Sequence, residues 1–170
     1  GFSDLVVAID ASDLERQFVR IHGSRGTQHA VLLVELVVRR RSLMASGEEQ
    51  ARFELLSVEW LLLQDPAGSF CLERPRVPGQ RYPGLGIAAE IQELLVQACR
   101  RLGLDGIVQR PSHYHHAAVA GREYRFLNPA AEGRMDALRQ VLAPFSVAEA
   151  SDMMEAGAVR MGDGSVVVWE

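Results

Sequence analysis

Two long apolar runs in the first half of the chain constrain its fold most strongly. Residues 28–40 and 53–64 are dominated by Val and Leu, and the β-branched residues of the first run favour a strand over a helix. Residues 4–10 form a shorter apolar run bounded by acidic residues, which also indicates a strand. We expect the two long runs to be neighbouring strands of one sheet.

Local signals predict a helix between residues 4–10 and 28–40, and a turn after residues 53–64. Ser12 with Glu15 three residues later has the spacing of a capping box, so we expect a helix that ends near Gly23. Residues 65–68 read Asp-Pro-Ala-Gly, a sequence typical of a β-turn. We expect the chain to return over 69–78 as a second strand of a β-hairpin, which extends an antiparallel meander.

The second half of the chain predicts helices. Apolar residues recur with helical spacing over 87–102, and Gly103 is suited to cap this helix at its C-terminus. The remaining predicted elements are a strand over 104–108, helices over 113–122, 129–142 and 147–156, a strand over 123–127 and a hairpin over 159–169. The predicted fold class is therefore α/β (α+β): a mixed, mostly antiparallel central sheet flanked by helices, with a C-terminal helix and β-hairpin extension.

Composition excludes several classes of protein. Apolar residues make up 48% and charged residues 24% of the 170 residues, as in globular proteins. The formal charge of -4 argues against nucleic-acid binding. No apolar stretch is long enough to span a membrane, and the first residues do not resemble a signal peptide. The first residue is not Met, so we expect either an artificial start or a fragment of a longer protein.

The two cysteines indicate a reducing compartment. Cys71 and Cys99 are too few for a disulfide framework and lack the close spacing of a zinc site. We interpret both as reduced core residues. A cytoplasmic location is the corresponding prediction.

A glycine- and proline-rich segment precedes the helix predicted over 87–102. Residues 78–86 read Pro-Gly-Gln-Arg-Tyr-Pro-Gly-Leu-Gly. Glycine lets the backbone approach a ligand closely, because no Cβ stands in the way. The N-terminus of the following helix presents unpaired N–H groups that attract phosphate oxygens. This segment therefore predicts either a phosphate-binding loop or a tight connection into a capped helix.

The pattern Arg81-x-x-Gly84-x-Gly86 resembles the acyl-CoA pyrophosphate loop of the GNAT acetyltransferase superfamily. The resemblance covers about residues 52–127 and includes the order of the surrounding elements. It implies a GNAT-like domain over 1–145, with 146–170 as an extension of the same domain. It also implies acetyl-CoA or another acyl-CoA as cofactor. The implied cofactor-binding residues are Arg81, Tyr82, Gly84, Leu85 and Gly86.

In that family the loop amides hold the pyrophosphate. The strand after the helix splays from the strand before the loop and admits the pantetheine arm. The implied activity is transfer of an acyl group from the CoA thioester to an amine, with N–H groups of the strand before Gly79 polarising the thioester oxygen. The implied partner is a small-molecule amine or a peptide acceptor, and a homodimer is left open.

A later part of the family pattern is matched only in part. The family has an Asn, an Ala three residues on, a Tyr and a closing Gly-Phe. With Phe126 aligned to that Phe, Ala117 matches the Ala, whereas Tyr114 stands at the Asn and Gly121 at the Tyr. The tyrosine that protonates the leaving thiolate in many members therefore has no counterpart. Tyr124 lies nearby in a different register.

Other residues are therefore candidates for the proton transfers. His113, His115 or His116 can replace the tyrosine, since an imidazole titrates near neutral pH, and of these we select His115. Some relatives use a glutamate on the strand before the loop as a base. Glu73 lies on that predicted strand, and Glu59 lies on its hairpin partner. The predicted catalytic residues are Glu73, His115 and Tyr124.

The histidine cluster permits two further interpretations. On a helix, His113 and His116 would face the same way and bind a metal together with a carboxylate such as Glu123. No third ligand follows from the spacing, so the sequence assigns no metal ligands. Alternatively, the histidines pack at the helix start after Pro111. The alternatives to an acyltransferase are thus a GNAT-like binding module without turnover and a metal-binding protein.

Overall fold

Five strands and four helices make up the computed structural model, which describes residues 1–13, 15–26, 29–44, 51–121 and 123–169. The strands are β1 (Ser3–Asp10), β2 (Arg16–Ser24), β3 (Val31–Met44), β4 (Arg52–Leu63) and β5 (Gly106–Gln109). The helices are α1 (Ala88–Arg101), α2 (Tyr114–Ala120), α3 (Pro129–Leu142) and α4 (Val147–Glu155). Leu14, Gln28 and Arg122 belong to predicted elements but lie outside the described residues.

The chain divides into two compact units that alternate along the sequence. The first contains Gly1–Ser69 and Tyr82–Arg110, and the second contains Phe70–Arg81 and Pro111–Glu170. The predicted boundary between residues 145 and 146 falls inside the second unit. Helix α4, predicted as part of a C-terminal extension, therefore shares a unit with α2 and α3.

The first unit contains the whole sheet, in the order β1-β2-β3-β4-β5. Strands β1 to β4 pair antiparallel as a meander, and β5 pairs parallel to β4. A parallel neighbour requires a crossover connection, which α1 supplies. The predicted mixed, mostly antiparallel sheet in an α+β protein is confirmed.

The helix predicted after Ser12 is wrong, because this segment of the chain forms β2. Strand β2 pairs with β1 on one side and with β3 on the other. The N–H of Ser12 donates to Asp10 Oδ1 over 3.0 Å, and the N–H of Glu15 donates to Asp13 Oδ1 over 2.9 Å. Aspartate side chains therefore hold the polar residues in turns, which compete with a helix cap for the same donors.

Helix α1 packs on the sheet of the first unit. Its buried residues Ile91 and Leu95 form one apolar cluster with Leu56 and Val58 of β4. Apolar burial of this kind drives helix-on-sheet packing. The cluster therefore ties the helix that follows the glycine-rich segment to the strand that precedes it.

The return strand predicted over 69–78 is not formed. This segment contains only an isolated bridge at Cys71, and Leu72 within it is exposed. Pro75 and Pro78 have no N–H group to donate to a ladder, which opposes a strand here. The predicted hairpin is therefore wrong, although the turn after β4 is present, with the N–H of Gly68 donating to the carbonyl of Asp65 over 3.0 Å.

The two cysteines differ in environment. Cys99 on α1 is buried, as predicted, whereas Cys71 is exposed, so its assignment to the core is wrong. Both are free thiols. The exposure of Cys71 follows from the missing strand, because no sheet places that side chain against an apolar layer.

The second unit is helical. Helices α2, α3 and α4 surround an apolar core in which Met135 is only 1% exposed. The helices predicted over 129–142 and 147–156 are confirmed, each within one residue of its observed ends. The tight turn predicted at 162–164 is also present, since the N–H of Gly164 donates to the carbonyl of Met161 over 2.9 Å. Within the described residues, no helix is both long and apolar enough to cross a membrane.

The strand predicted over 123–127 is wrong. The N–H of Tyr124 donates to the carbonyl of Ala120 over 2.9 Å, and the N–H of Phe126 donates to Glu132 Oε2 over 2.7 Å. These donors are consequently used locally and are not available for a sheet. The Phe126 bond, followed by the contact with Arg125, holds the pKa of Glu132 below its usual range.

Helix α4 begins with a complete capping box. Ser146 Oγ accepts from the N–H of Glu149 over 3.3 Å, and Glu149 Oε2 accepts from the N–H of Ser146 over 2.8 Å. We expect Ser146→Ala to lower the free energy of unfolding by about 1 kcal/mol in chemical denaturation. The control is Ser69→Ala, at an exposed residue outside any helix, and an equal loss of stability in both variants would contradict the prediction.

Candidate functional site

The glycine-rich segment returns to the end of β4 before α1 begins. The N–H of Asp65 donates to the carbonyl of Pro83 over 2.7 Å. A Cβ at Gly84 would lie 3.8 Å from the carbonyl oxygen of Leu63, the last residue of β4. The chain between Asp65 and Pro83 therefore leaves β4 and comes back to it. As a result, residues 83–86 and then α1 directly follow the end of β4 in space, although residues 64–82 lie between them in the sequence.

The loop presents main-chain N–H groups just before α1. Gly86 has a φ of +76°, a left-handed conformation that favours glycine. Ile87 is the N-cap of α1 and its side chain makes no capping hydrogen bond. None of the backbone hydrogen bonds seen in the described ranges uses the N–H groups of Gly84, Leu85 or Gly86 as donors. These amides therefore have no main-chain acceptor among the described residues.

One side of β4 has no paired strand along its second half. Strand β5 pairs only with residues 55–58 of β4, which continues to Leu63. The pairing with β3 changes register at the same place, since Val38 faces Val58 but Val37 faces Trp60. Glu59 is thus the extra residue of a β-bulge, which bends a strand and increases its twist. Among the described strands, none pairs with this side of β4 beyond Val58.

The predicted cofactor-binding residues are divided between the two units. Tyr82, Gly84, Leu85 and Gly86 belong to the first unit, together with β4 and α1. Arg81 belongs to the second unit and is exposed. The part of the predicted site that the structure brings together is therefore the main chain of the loop with β4 and α1.

The predicted catalytic residues Glu73, His115 and Tyr124 all belong to the second unit. Glu73 is exposed, and its carboxylate accepts a bond from Cys71 Sγ over 3.5 Å. Its predicted place on a strand before the loop is wrong, because that strand is absent. The strand before the loop is β4, which carries Glu59.

The carboxylate of Glu59 forms ion pairs with one arginine of β2 and one of β3. It lies 2.9 Å from Arg16 Nε and 3.3 Å from Arg39 Nη1. The side chain is partly buried, whereas the residue as a whole is exposed at the bulge. The ion pairs therefore keep the carboxylate in place while the main chain of Glu59 remains open to solvent.

Gly121, which stands where the family has its tyrosine, is packed against Arg139. A Cβ at Gly121 would collide with Arg139 Nη2 and would lie 3.0 Å from the carbonyl oxygen of Ala117. Arg139 is itself held by Asp136 over 2.8 Å. This position consequently has no room for a tyrosine side chain unless Arg139 moves.

Three histidines meet at the start of α2. One ring nitrogen from each of His113, His115 and His116 lies within 4.8 Å of the other two. The helix begins at Tyr114, and His113 is its N-cap in an extended conformation, with φ -140° and ψ 158°. His113 is therefore not on the helical face that the three-residue spacing predicts. This is why the spacing identified His113 and His116 but missed His115 as a third member.

His115 is buried without hydrogen bonds. It is 6% exposed, and neither ring nitrogen has a partner among the described residues. Burial above all, followed by His116 and His113, lowers the pKa of His115 to about 4, so the ring is neutral at neutral pH. A buried polar group without a partner costs about 1–3 kcal/mol. The ring thus carries an unused lone pair next to two other imidazoles.

Comparison with models of protein families, with curated proteins and with solved structures finds no match to this chain. The function is therefore inferred from the site itself. Two of its features were missed from the sequence: the bulge at Glu59 and the bond that returns Pro83 to Asp65. A bulge has no signature in one sequence, and the bond joins two main-chain groups that any residues could supply.

Proposed function

We propose that this chain is an acyl-CoA-dependent N-acyltransferase of the GNAT type. The observation that carries the proposal is the order β4, glycine loop, α1, β5, with β5 parallel to β4 and β4 unpaired on that side beyond Val58. This arrangement agrees with what the sequence resemblance implies. Main-chain N–H groups of the loop would bind a diphosphate, and the unpaired edge of β4 next to them would bind an extended ligand.

The loop supports binding of the diphosphate. The N–H groups of Gly84, Leu85 and Gly86 have no other acceptor in the described backbone, and α1 adds the positive end of its dipole. The pantetheine arm contains amide groups and is extended. It can pair with the main chain of β4 beyond Glu59 in the way that a peptide is added to a sheet edge.

The proposed reaction is direct transfer. The nitrogen of a neutral amine attacks the carbonyl carbon of the thioester, and a C–N bond forms while the carbonyl oxygen becomes an oxyanion. Main-chain N–H groups of β4, the strand before the loop, stabilise that oxyanion. The carbonyl then re-forms as the C–S bond breaks with its electron pair on sulfur. The nitrogen loses its extra proton to a base, and this proton passes on to the thiolate, which leaves as CoA thiol. The acceptor is a small-molecule amine or a peptide.

A second candidate function is binding of an acyl-CoA without turnover. The observation that favours it is the packing of Arg139 against Gly121, which replaces the family's tyrosine acid. A module of this kind would keep the loop and the open edge of β4. It would lack the group that protonates the thiolate.

Thermal unfolding with acetyl-CoA tests the proposal. At about 100 times its dissociation constant, the ligand should stabilise the protein by roughly 2.7 kcal/mol. Gly84→Ala is the test variant, because its φ is not positive and the new Cβ meets nothing closer than 3.8 Å. We expect this variant to fold normally but to bind acetyl-CoA about tenfold more weakly, since the Cβ keeps the phosphates from the main chain.

The matched control is Gly133→Ala, which adds a methyl group on α3 where nothing lies within 4 Å. Its affinity for acetyl-CoA should equal that of the wild-type protein. If acetyl-CoA produces no shift in the wild type, both candidate functions fail. If binding occurs, release of free thiol with a panel of amines separates the transferase from the binding module.

A further inference from the structure

We propose that His113, His115 and His116 form a binding site for a divalent transition-metal ion of the zinc type, with one coordination position left for an external ligand. The site lies within the second unit and does not depend on the proposed acyltransferase activity. It differs from the metal site considered from the sequence, which paired two histidines with a carboxylate.

The distances within the cluster suit three nitrogen donors. The three ring nitrogens lie within 4.8 Å of one another, and the His115 and His116 ring centroids are 4.2 Å apart. In a tetrahedral zinc site with Zn–N bonds of about 2.0–2.1 Å, the donors are roughly 3.4 Å apart. Metal binding therefore requires the three nitrogens to move closer together than they lie in the structure. His116 is exposed, so its ring is the one with room to move.

The strongest observation is the state of His115. Both of its nitrogens are buried and have no partner among the described residues, which is unusual for a polar side chain in a folded protein. A bound metal ion would use the lone pair of one nitrogen. The burial of His115 also fixes its ring, so one of the three ligands is already in position.

A histidine that binds a metal through one ring nitrogen normally forms a hydrogen bond through the other, and Ser112 can supply the partner for that bond. Its Oγ lies 3.1 Å from Nδ1 of His113 and 3.1 Å from Nδ1 of His116. A hydroxyl oxygen has two lone pairs and can accept from both Nδ1–H groups. If both Nδ1 atoms donate to this oxygen, Nε2 of each ring is available to a metal.

Gly79 lies next to the ring of His113. A Cβ at Gly79 would lie 3.0 Å from Cε1 and 3.2 Å from Nε2 of His113, so a larger residue would have to displace the ring. His113 also lines a cleft of about 450 Å³ together with Ser112 and Ser151. The cleft leads from solvent to His113, whereas His115 and His116 do not line it.

The donor set indicates the class of metal. Imidazole nitrogens suit zinc, copper, nickel and iron, whereas magnesium and calcium prefer oxygen ligands. Three protein ligands and one open position are typical of catalytic zinc sites, while structural sites use four protein ligands. Zn²⁺ is therefore the probe, and Co²⁺ is its spectroscopic substitute.

The test is titration of the chelator-treated protein with Zn²⁺ alone, followed by competition with a chromophoric chelator. We expect one ion per chain and a higher thermal midpoint. The Co²⁺ form should show the intense visible absorption of a four-coordinate ion. Weak absorption of a six-coordinate ion would overturn the proposal, because it would mean adventitious binding by exposed imidazoles only.

Variants identify the ligands. His116→Asn removes an exposed ligand and should abolish stoichiometric binding, and Ser112→Ala should weaken Zn²⁺ binding by about 10–100-fold. The control is His29→Asn, at an exposed histidine outside the cluster, which should leave the affinity unchanged. Equal Zn²⁺ affinity in His116→Asn and the wild type would overturn the proposal. None of these measurements uses acyl-CoA, so they are independent of the test of acyl transfer.

Discussion

Met135→Ala is expected to lower the free energy of unfolding by about 2–5 kcal/mol, the range for truncating a buried Met, Leu or Ile. Met135 is 1% exposed and belongs to the apolar cluster of the second unit, with Tyr114, Leu142 and Met154. Truncation removes the side-chain contacts and leaves a cavity that close-packed neighbours fill only in part. Chemical denaturation followed by far-UV circular dichroism measures the loss.

The matched control for this substitution is Met161→Ala. Met161 is 50% exposed and lies beside the tight turn of the same unit. Its truncation should change stability by no more than about 0.5 kcal/mol. Similar losses in the two variants would mean that α2, α3 and α4 do not pack around Met135 as described.

Leu95→Ala is expected to have an effect of the same size in the first unit, again about 2–5 kcal/mol. Leu95 is 6% exposed on α1 and packs in one cluster with Leu56 and Val58 of β4. This contact attaches α1 to the sheet. Its loss should therefore also increase hydrogen exchange of the α1 amides, which distinguishes local release of the helix from global unfolding.

The neighbouring residue provides the control. Leu94 is 59% exposed on the same helix, so Leu94→Ala makes the same chemical change outside the core and should alter stability by about 0.5 kcal/mol or less. If Leu94→Ala proves the more destabilising of the two, α1 presents a different face to β4. The proposed position of the glycine loop would then be wrong as well.

Elements with a strong pattern were predicted from the sequence alone. Helix α1 combines apolar periodicity with a following glycine, and α3 and α4 have an initial proline and a capping box. Strands β3 and β4 follow from their Val and Leu content. In each case the local preference and the tertiary environment agree, and such agreement is typical of well-specified segments.

Two of the wrong predictions share a physical cause. Residues 12–15 have the spacing of a capping box, but Asp10 and Asp13 hold the backbone donors of this segment in turns. Residues 123–127 have the composition of a strand, but Glu132 accepts the N–H of Phe126. In both places, a hydrogen bond from a particular side chain decides between conformations of similar intrinsic preference.

The candidate site was predicted in part. The glycine loop and its position before a helix follow from residues 78–86 and the pattern after them. Glu73 was predicted on a strand that is not formed, because the prolines after it have no N–H group to donate to a sheet. Helical spacing suggested His113 and His116 as metal ligands and gave no third ligand, but His113 precedes the helix, and His115 is the third member of the cluster.

The sequence by itself determined α1, α3, α4 and the long strands β3 and β4, since periodicity, β-branching and caps act over a few neighbouring residues. It also located the glycine loop. Only the tertiary structure decided that β5 lies parallel to β4, that Pro83 returns to Asp65 and that the rings of His113 and His116 lie beside the buried His115. The first two depend on contacts between residues far apart in the chain, whose energies do not appear in any local pattern. The third depends on the extended conformation of His113, which precedes α2.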